Sequence, residues 1–120
     1  MILQLEKNEM VALVLHMSIM RKNIKKGFKS NYGTEFKLYL NSYDEVKVTV
    51  TEALEGLKEQ DGHFIFNFNI REIDMIFSFL EFYIMQLHEL VDLEKINGID
   101  SEQIRDLTTI KEKAKDCKAA

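Results

Sequence analysis

Side chains capable of chemistry are few in this sequence, and the best-spaced group surrounds residue 88. Glu81, His88 and Asp92 fall on one stripe of a predicted helix, with His88 and Asp92 one turn apart, which is the spacing that a helix-borne metal site uses. The same stripe carries Asp74 and Ser78, so it is equally typical of the solvated edge of a buried helix. Because three potential ligands on one stripe are not enough, we predict no metal and no other cofactor.

Candidate nucleophiles and bases are isolated from one another. Cys117 is the single cysteine, lies in a lysine-rich tail (117–120) that we expect to be frayed, and has no neighbouring histidine, so a nucleophilic role is not expected. His16 lies within an apolar helical pattern, which is typical of a core or interface group, and His63 adjoins a turn glycine. The sequence has no glycine-rich phosphate loop, Gly-x-Ser-x-Gly elbow or paired metal-ligand motif. We therefore predict that the protein is not an enzyme, and we identify no small-molecule substrate.

Basic side chains are concentrated in the sequence RKNIKKGFK, at the end of the first predicted helix and in the loop beyond it. The candidate basic patch consists of Arg21, Lys22, Lys25, Lys26 and Lys29. With Phe28 and Tyr32 available to stack on bases, this patch predicts phosphate contacts or a docking site for an acidic protein. Cations at a helix C-terminus followed by a solvated loop explain the same pattern. We favour that explanation because the formal net charge is -4.

The second predicted helix carries an acidic face. Its members are Glu45, Glu52, Glu55 and Glu59. This face would repel nucleic acid, but it could receive basic groups of a partner protein. We therefore do not expect a nucleic-acid partner, and we keep a nucleic-acid-binding regulator that uses residues 21–29 as the alternative function.

Length and composition predict one domain. The chain has 120 residues, of which 46% are hydrophobic, and contains no proline and no linker-like segment, so it can bury a single core. The apolar run MVALVLHMSIM is too short to span a bilayer, and a lone cysteine suits a reducing compartment. We therefore expect a cytoplasmic protein without a membrane partner. The preference for lysine over arginine, with many Ile, Asn and Glu residues, indicates an AT-rich bacterial or phage genome.

Hydrophobic periodicity predicts the elements that would position these residues. Four helices are expected, the first ending at Gly27 and the second beginning at a Ser-x-x-Glu capping box at Ser42. The predicted helices cover residues 6–26, 42–62, about 70–91 and 100–116. Residues 36–40, FKLYL, alternate like a short strand but could equally form an extra turn of helix.

An internal repeat organises these elements. A shift of 63 positions, which lays Leu3 on Phe66, aligns two strand-to-helix junctions with the same N-cap, capping-box and hydrophobic-staple pattern. The N-caps are Glu6 and Asn69, the reaching carboxylates are Glu9 and Glu72, and the staples are Leu5–Met10 and Phe68–Ile73. We predict a mainly α, four-helix single domain (1–116) built from two similar strand-helix-helix halves, 1–62 and 63–116, with a minor two-stranded β element. The alternative is that any two junctions of this kind look alike.

The third predicted helix is apolar on two faces, and so is the first. Outside the main stripes lie Met75, Phe79, Phe82, Val11, Leu15 and Ile19. We predict that the first and third helices form a central pair, each between its partner and an outer helix, and that these six residues are an interface. Burial of the aromatic group inside the monomer is the competing interpretation. The leading hypothesis is a small non-enzymatic protein-binding module, an adaptor, inhibitor or regulator, that acts as a homodimer on another protein.

Overall fold

The structure, a computed structural model, describes residues 1–92 and 101–119, with side chains described for residues 1–89 and 102–119. The chain is mainly helical and contains a two-stranded sheet. In chain order the elements are β1 (Ile2–Glu6), α1 (Lys7–Tyr32), a 3-10 turn (Gly33–Glu35), α2 (Phe36–Gly56), β2 (His63–Asn67), α3 (Ile70–Asp92) and α4 (Ser101–Ala119).

The two strands pair in antiparallel orientation, which confirms the predicted β element. Leu3 lies opposite Phe66, and the side chains of both residues are buried. The ladder continues past both strand ends, because the Phe68 N–H donates to the Met1 carbonyl and the Lys7 N–H donates to the Gly62 carbonyl. Each strand therefore leads into a long helix across a paired junction.

Both junctions carry the capping interactions that the sequence predicts. At the start of α3, the Asn69 side chain accepts a hydrogen bond from the Glu72 N–H (2.8 Å), and the Glu72 carboxylate accepts one from the Asn69 N–H (2.9 Å). At the start of α1, the Glu9 carboxylate accepts the Glu6 N–H at 2.7 Å. These bonds satisfy amides that have no partner within the helix. The internal repeat itself stays a prediction, because a shared order of elements does not establish a common origin.

The helical segments α1, α2, α3 and α4 pack as a ring within the described residues. Helix α1 packs along α2 and α4, and α3 packs along the same two helices, so α1 and α3 occupy opposite corners of the bundle. The prediction that α1 and α3 form a central pair is therefore wrong. The second apolar face of α3 is covered by α2, which the sequence analysis had placed as an outer helix.

A single hydrophobic core receives side chains from both strands and from all four helices. Tyr43 of α2 lies near its centre, where the hydroxyl donates a hydrogen bond to the Met17 carbonyl. The ring of Tyr43 makes edge-to-face contacts with Phe28 at 5.8 Å and with Phe79 at 5.3 Å between centroids. One aromatic cluster therefore joins α1, α2 and α3, a geometry that adds to the stabilisation from burial alone.

Helical backbone extends further at the α1–α2 connection than the sequence predicts. Helix α1 passes through Gly27 and ends at Tyr32, because Phe28 continues its buried stripe. Residues 36–40 are the first turn of α2, so Ser42 lies inside the helix and does not begin it. Only the 3-10 turn separates α1 from α2, and the described residues thus form three uninterrupted helical stretches, not four separate helices.

The remaining boundaries differ less. Helix α2 ends at Gly56 instead of near Gly62, and a turn follows in which the Asp61 carboxylate accepts the Lys58 N–H. The predicted frayed tail is wrong for residues 117–119, because α4 continues to Ala119. The bounds of α3 agree with the prediction to one residue, and the predicted start of the fourth helix, at Asp100, lies outside the described residues.

Candidate interaction surfaces

The metal-like stripe on α3 does not come together as a site within the described chain. No group of three or more His, Cys, Asp or Glu side chains that could hold a metal ion is found among the described residues. Glu81 and His88 are exposed, Asp74 accepts a hydrogen bond from Lys118 at 2.7 Å, and the side chain of Asp92 lies outside the description. The stripe is thus the solvated edge of α3 as far as it is described.

His16 is buried in a polar network between three helices. Its Nδ1 lies 2.8 Å from the Tyr83 hydroxyl of α3, and its Nε2 lies 2.9 Å from the side-chain oxygen of Gln103 of α4. Burial raises the pKa of Tyr83. In the neutral tautomer with its proton on Nε2, the ring donates from Nε2 to the Gln103 side-chain oxygen and accepts at Nδ1 from the Tyr83 hydroxyl. Both ring nitrogens are therefore satisfied, and His16 ties α1 to α3 and α4.

The basic patch is divided between structural and exposed residues. Arg21 forms a two-point ion pair with Asp44 of α2, at 2.6 and 3.0 Å, and this hydrogen bonding raises the pKa of the guanidinium. The ammonium of Lys29 lies over the Phe36 ring at 5.2 Å from its centroid. The three remaining lysines make no ion pair among the described residues: Lys22, Lys25 and Lys26.

The aromatic residues expected to assist this patch are engaged elsewhere. Phe28 is buried, and the ring of Tyr32 stacks on Tyr39 at 3.6 Å between centroids. Burial raises the pKa of Tyr32 to about 12. The expectation that Phe28 and Tyr32 are available to stack on bases is therefore wrong, because both rings pack the α1–α2 corner.

The predicted apolar interface is divided as well. Met75 and Phe79 retain 0% and 2% of their exposure, and Phe79 packs between Tyr43 and Tyr83. Both residues belong to the core of the chain, and their assignment to an interface is wrong. Phe82 is 45% exposed. It lies on α3, at the opposite corner of the bundle from α1, so it does not share a surface with the α1 members of the predicted interface.

The α1 members of that predicted interface form an exposed apolar stripe. Val11, Leu15 and Ile19 are 49%, 43% and 56% exposed and follow one another at four-residue intervals. Four-residue spacing places them on one face of the helix. We call these three residues the α1 stripe, and they are the part of the predicted interface that remains accessible together.

Two grooves border the sheet, one beside each strand. The groove between β1 and α4 is about 510 Å³ and is bridged by two side chains of α4. The ammonium of Lys113 donates to the Gln4 carbonyl at 2.9 Å and to the Glu9 carboxylate at 2.7 Å, and the thiol of Cys117 donates to the Ile2 carbonyl at 3.1 Å. Cys117 is thus held against the sheet and is not part of a loose tail.

The groove between β2 and α2 is about 560 Å³ and lacks such bridges. Its lining includes Thr49, Glu52 and Ala53 of α2, Asp61 of the turn, and Phe64 of β2. None of the described hydrogen bonds joins an α2 side chain to the backbone of β2. The sequence does not predict this groove, and its only indication there is a pair of short side chains, Thr49 and Ala53, one helical turn apart in α2.

Comparison with known proteins leaves the family open. No family model matches the chain, and no curated protein or solved structure is significantly similar to it. Within the described residues, no helix combines the length and apolar character needed to cross a membrane. The function therefore has to be inferred from the surfaces of the described residues.

Proposed function

We propose that this protein is a small non-enzymatic protein-binding module, an adaptor, inhibitor or regulator of bacterial or phage origin, that acts as a homodimer. The observation that carries the proposal is the exposed α1 stripe, Val11, Leu15 and Ile19. When another chain covers three apolar side chains on the outer face of a helix, their removal from water stabilises the complex. Each is close to half exposed, so all of them have area left to bury.

The spacing of the α1 stripe suits a second copy of the same helix. Val11 and Ile19 lie at equal distances from Leu15 along the chain. When two α1 helices pair in antiparallel orientation about Leu15, Val11 of one copy faces Ile19 of the other, and Leu15 faces its own counterpart. Such a self-complementary patch gives a closed two-fold dimer.

Charges next to the stripe favour the same pairing. The Asn8 side chain donates to the Asp106 carboxylate at 2.9 Å, so Asp106 lies beside residue 8. Residues 8 and 22 are equally distant from Leu15, and Lys22 of one copy therefore comes beside Asp106 of the other. Two symmetric pairs of opposite charge then flank the apolar contact, which favours association in this register.

Sedimentation of the purified protein with a Leu15→Glu variant tests the dimer. We expect the parent to sediment as a dimer at micromolar concentration, and Leu15→Glu to be a folded monomer by circular dichroism, since an unpaired charge opposes association at an exposed position. Met85→Glu is the matched control, because Met85 is 55% exposed on α3 and lies outside the stripe. A monomeric parent contradicts the dimer, and equal dissociation of both variants contradicts the assignment of the α1 stripe to the dimer interface.

Nucleic-acid binding through residues 21–29 is the weaker proposal. Arg21 is paired with Asp44, and Phe28 is buried, so few groups remain for phosphates and bases. We expect no appreciable duplex binding at physiological salt. Sub-micromolar binding that weakens when Lys22, Lys25 and Lys26 are changed to alanine would reverse the order of the two proposals.

A further inference from the structure

The outer edge of β2 has free backbone groups. Phe68 pairs with Met1 and Gly62 pairs with Lys7 across the sheet. Residues of an antiparallel strand alternate between facing the partner strand and facing away, so the N–H and C=O groups of His63, Ile65 and Asn67 point away from β1. The sheet contains two strands, and no described hydrogen bond satisfies these outward groups.

The corresponding edge of β1 is closed by α4. Lys113 and Cys117 donate to the outward carbonyls of Gln4 and Ile2. Among the α2 residues that line the groove beside β2, Thr49 and Ala53 have short side chains, and none of the α2 side chains forms a hydrogen bond with the β2 backbone within the described chain. Natural proteins usually cover a strand edge, because an uncovered edge pairs readily with another chain. The β2 edge is thus the one of the two that can accept a strand.

The groove beside β2 also has the chemistry to select what binds. Phe64 is 38% exposed although it belongs to the same alternating set as the buried Phe66, so an apolar side chain of an added strand can cover it. Glu52 and Asp61 line the groove. Two further exposed acids, Glu55 and Glu59, and one exposed base, Lys58, lie nearby in the sequence, which leaves the surroundings of the groove negative.

We propose that the outer edge of β2, together with the groove between β2 and α2, binds an extended basic segment of a partner protein as a third strand. Backbone hydrogen bonds to the outward groups of β2 supply affinity for any extended chain, and the side chains supply selectivity. Apolar side chains of the segment cover Phe64, and basic side chains pair with Glu52 and Asp61. This inference rests on the proposed function and names the partner chemistry of the module.

A second copy of this chain is a poorer occupant of the same edge. Pairing β2 with a second β2 would bring Glu52, Asp61 and their neighbours of both copies toward one another, and like charges brought together oppose association. The strand itself, His63–Asn67, carries no lysine or arginine to compensate. A basic segment is instead attracted to the negative charges beside β2.

The test uses a synthetic peptide of about seven residues, blocked at both ends, in which valine and lysine occupy every second position in turn with threonine between them, so that both side-chain types lie on the face toward the groove. We expect it to shift the backbone NMR resonances of His63–Asn67 and to slow hydrogen exchange of the Ile65 amide. The same peptide with glutamate in place of lysine should bind at least about tenfold more weakly, and added salt should weaken binding of the lysine–valine peptide.

Three variants locate the peptide. Ile65→Pro removes one outward N–H without removing a bond to β1, and we expect about tenfold weaker binding. Thr49→Lys, at an exposed helix position, fills the groove with the side chain found at Lys113 and should weaken binding even if Ile65→Pro fails to fold. Gln4→Pro makes the matched change on the closed edge of β1 and should leave binding unchanged.

Four results would overturn the inference. These results are an absence of shifts at millimolar peptide, shifts confined to the α1 stripe, equal binding of the acidic peptide, and binding unaffected by both Ile65→Pro and Thr49→Lys. If the parent without peptide is a dimer and the Ile65→Pro variant is a monomer, the edge of β2 binds a second copy of the chain instead. A monomeric parent that binds the lysine peptide at β2 contradicts only the dimer, so failures of the two proposals are distinguishable.

Discussion

The two halves of the chain, 1–62 and 63–119, follow the same order of elements but treat their strand edges differently. In the second half, α4 directs Lys113 and Cys117 onto β1; in the first half, α2 directs Thr49 and Ala53 toward β2. We match these pairs by their position beside a strand; their members are 64 positions apart (113 minus 49, and 117 minus 53), one more than the 63-position shift of the strand-to-helix junctions. The side chains at these two positions are thus one difference between the closed edge of β1 and the open edge of β2, and the close packing of α4 along β1 is another.

The long helices differ in the same way. Val11 and Leu15 are exposed on α1, whereas the residues 63 positions later on α3 are Asp74 and Ser78. Asp74 accepts a hydrogen bond from Lys118, so this part of α3 is tied to α4. The first half thus contains α2, which borders the open edge of β2, and the exposed α1 stripe. The second half contains the polar side chains that cover the edge of β1 and that tie α3 to α4.

Phe79→Glu should cause the largest loss of stability. Its comparison with Leu15→Glu distinguishes the buried apolar face of α3 from the exposed apolar stripe of α1. Phe79 is 2% exposed and contacts two tyrosine rings. An unpaired carboxylate there, with the loss of the ring, should cost about 4 kcal/mol or more, which approaches the whole stability of a domain at the lower end of the usual range, about 5 kcal/mol. We expect loss of the circular dichroism signal, whereas Leu15→Glu on α1 stays folded. A folded Phe79→Glu monomer would show that α2 does not close this face.

Glu9→Ala and Glu72→Ala compare the two capping boxes. Glu9 is 4% exposed and accepts bonds from both the Glu6 N–H and Lys113, whereas Glu72 accepts one from the Asn69 N–H. We expect a loss of about 2 kcal/mol for Glu9→Ala and about 1 kcal/mol for Glu72→Ala. Denaturant midpoints measure both. Equal losses would mean that the contact of Glu9 with α4 adds nothing to its capping role.

Local patterns explain what the sequence predicts well. The capping interactions of Glu9 and Glu72 involve side chains and backbone three residues apart. The bounds of α3 and the positions of the two strands follow from the periodicity of apolar residues along each element. These are short-range effects, so a single sequence contains them. The predicted ending of α1 at Gly27 also used a local rule, but the continuation of the buried stripe to Phe28 outweighs it.

Long-range packing explains what the sequence does not predict. Whether α2 or a second copy covers Met75 and Phe79 depends on the order of helices around the core, which periodicity does not determine. The closed edge of β1 likewise depends on residues more than 100 positions away, as in the bond from Lys113 to Gln4 (113 minus 4 is 109). Such contacts become visible only when the elements are assembled.

Gly33→Ala and Gly27→Ala test the turn that joins the helices of the first half. Gly33 has a φ of 57°, which side chains rarely adopt, whereas a Cβ at Gly27 would meet nothing within 4 Å. We expect Gly33→Ala to lose about 1–2 kcal/mol and Gly27→Ala to gain about 1 kcal/mol. Thermal melting compares the two. A loss at Gly27 would indicate that this part of α1 is not regular helix.

The smallest change in stability should come from Cys117→Ala, which gives the edge of β1 the residue found at the matching position, Ala53. A thiol–carbonyl hydrogen bond is weak, so we expect a loss below about 0.5 kcal/mol. Combined with Lys113→Thr, the change copies the lining of the open groove onto the closed one. The lysine–valine peptide should then shift the amide resonances of Ile2 and Gln4 as well, whereas Cys117→Ser, which keeps a donor, should not produce this effect. If the double variant stays closed to the peptide, side-chain length is not what distinguishes the two edges, and the negative charge beside β2 becomes the deciding difference.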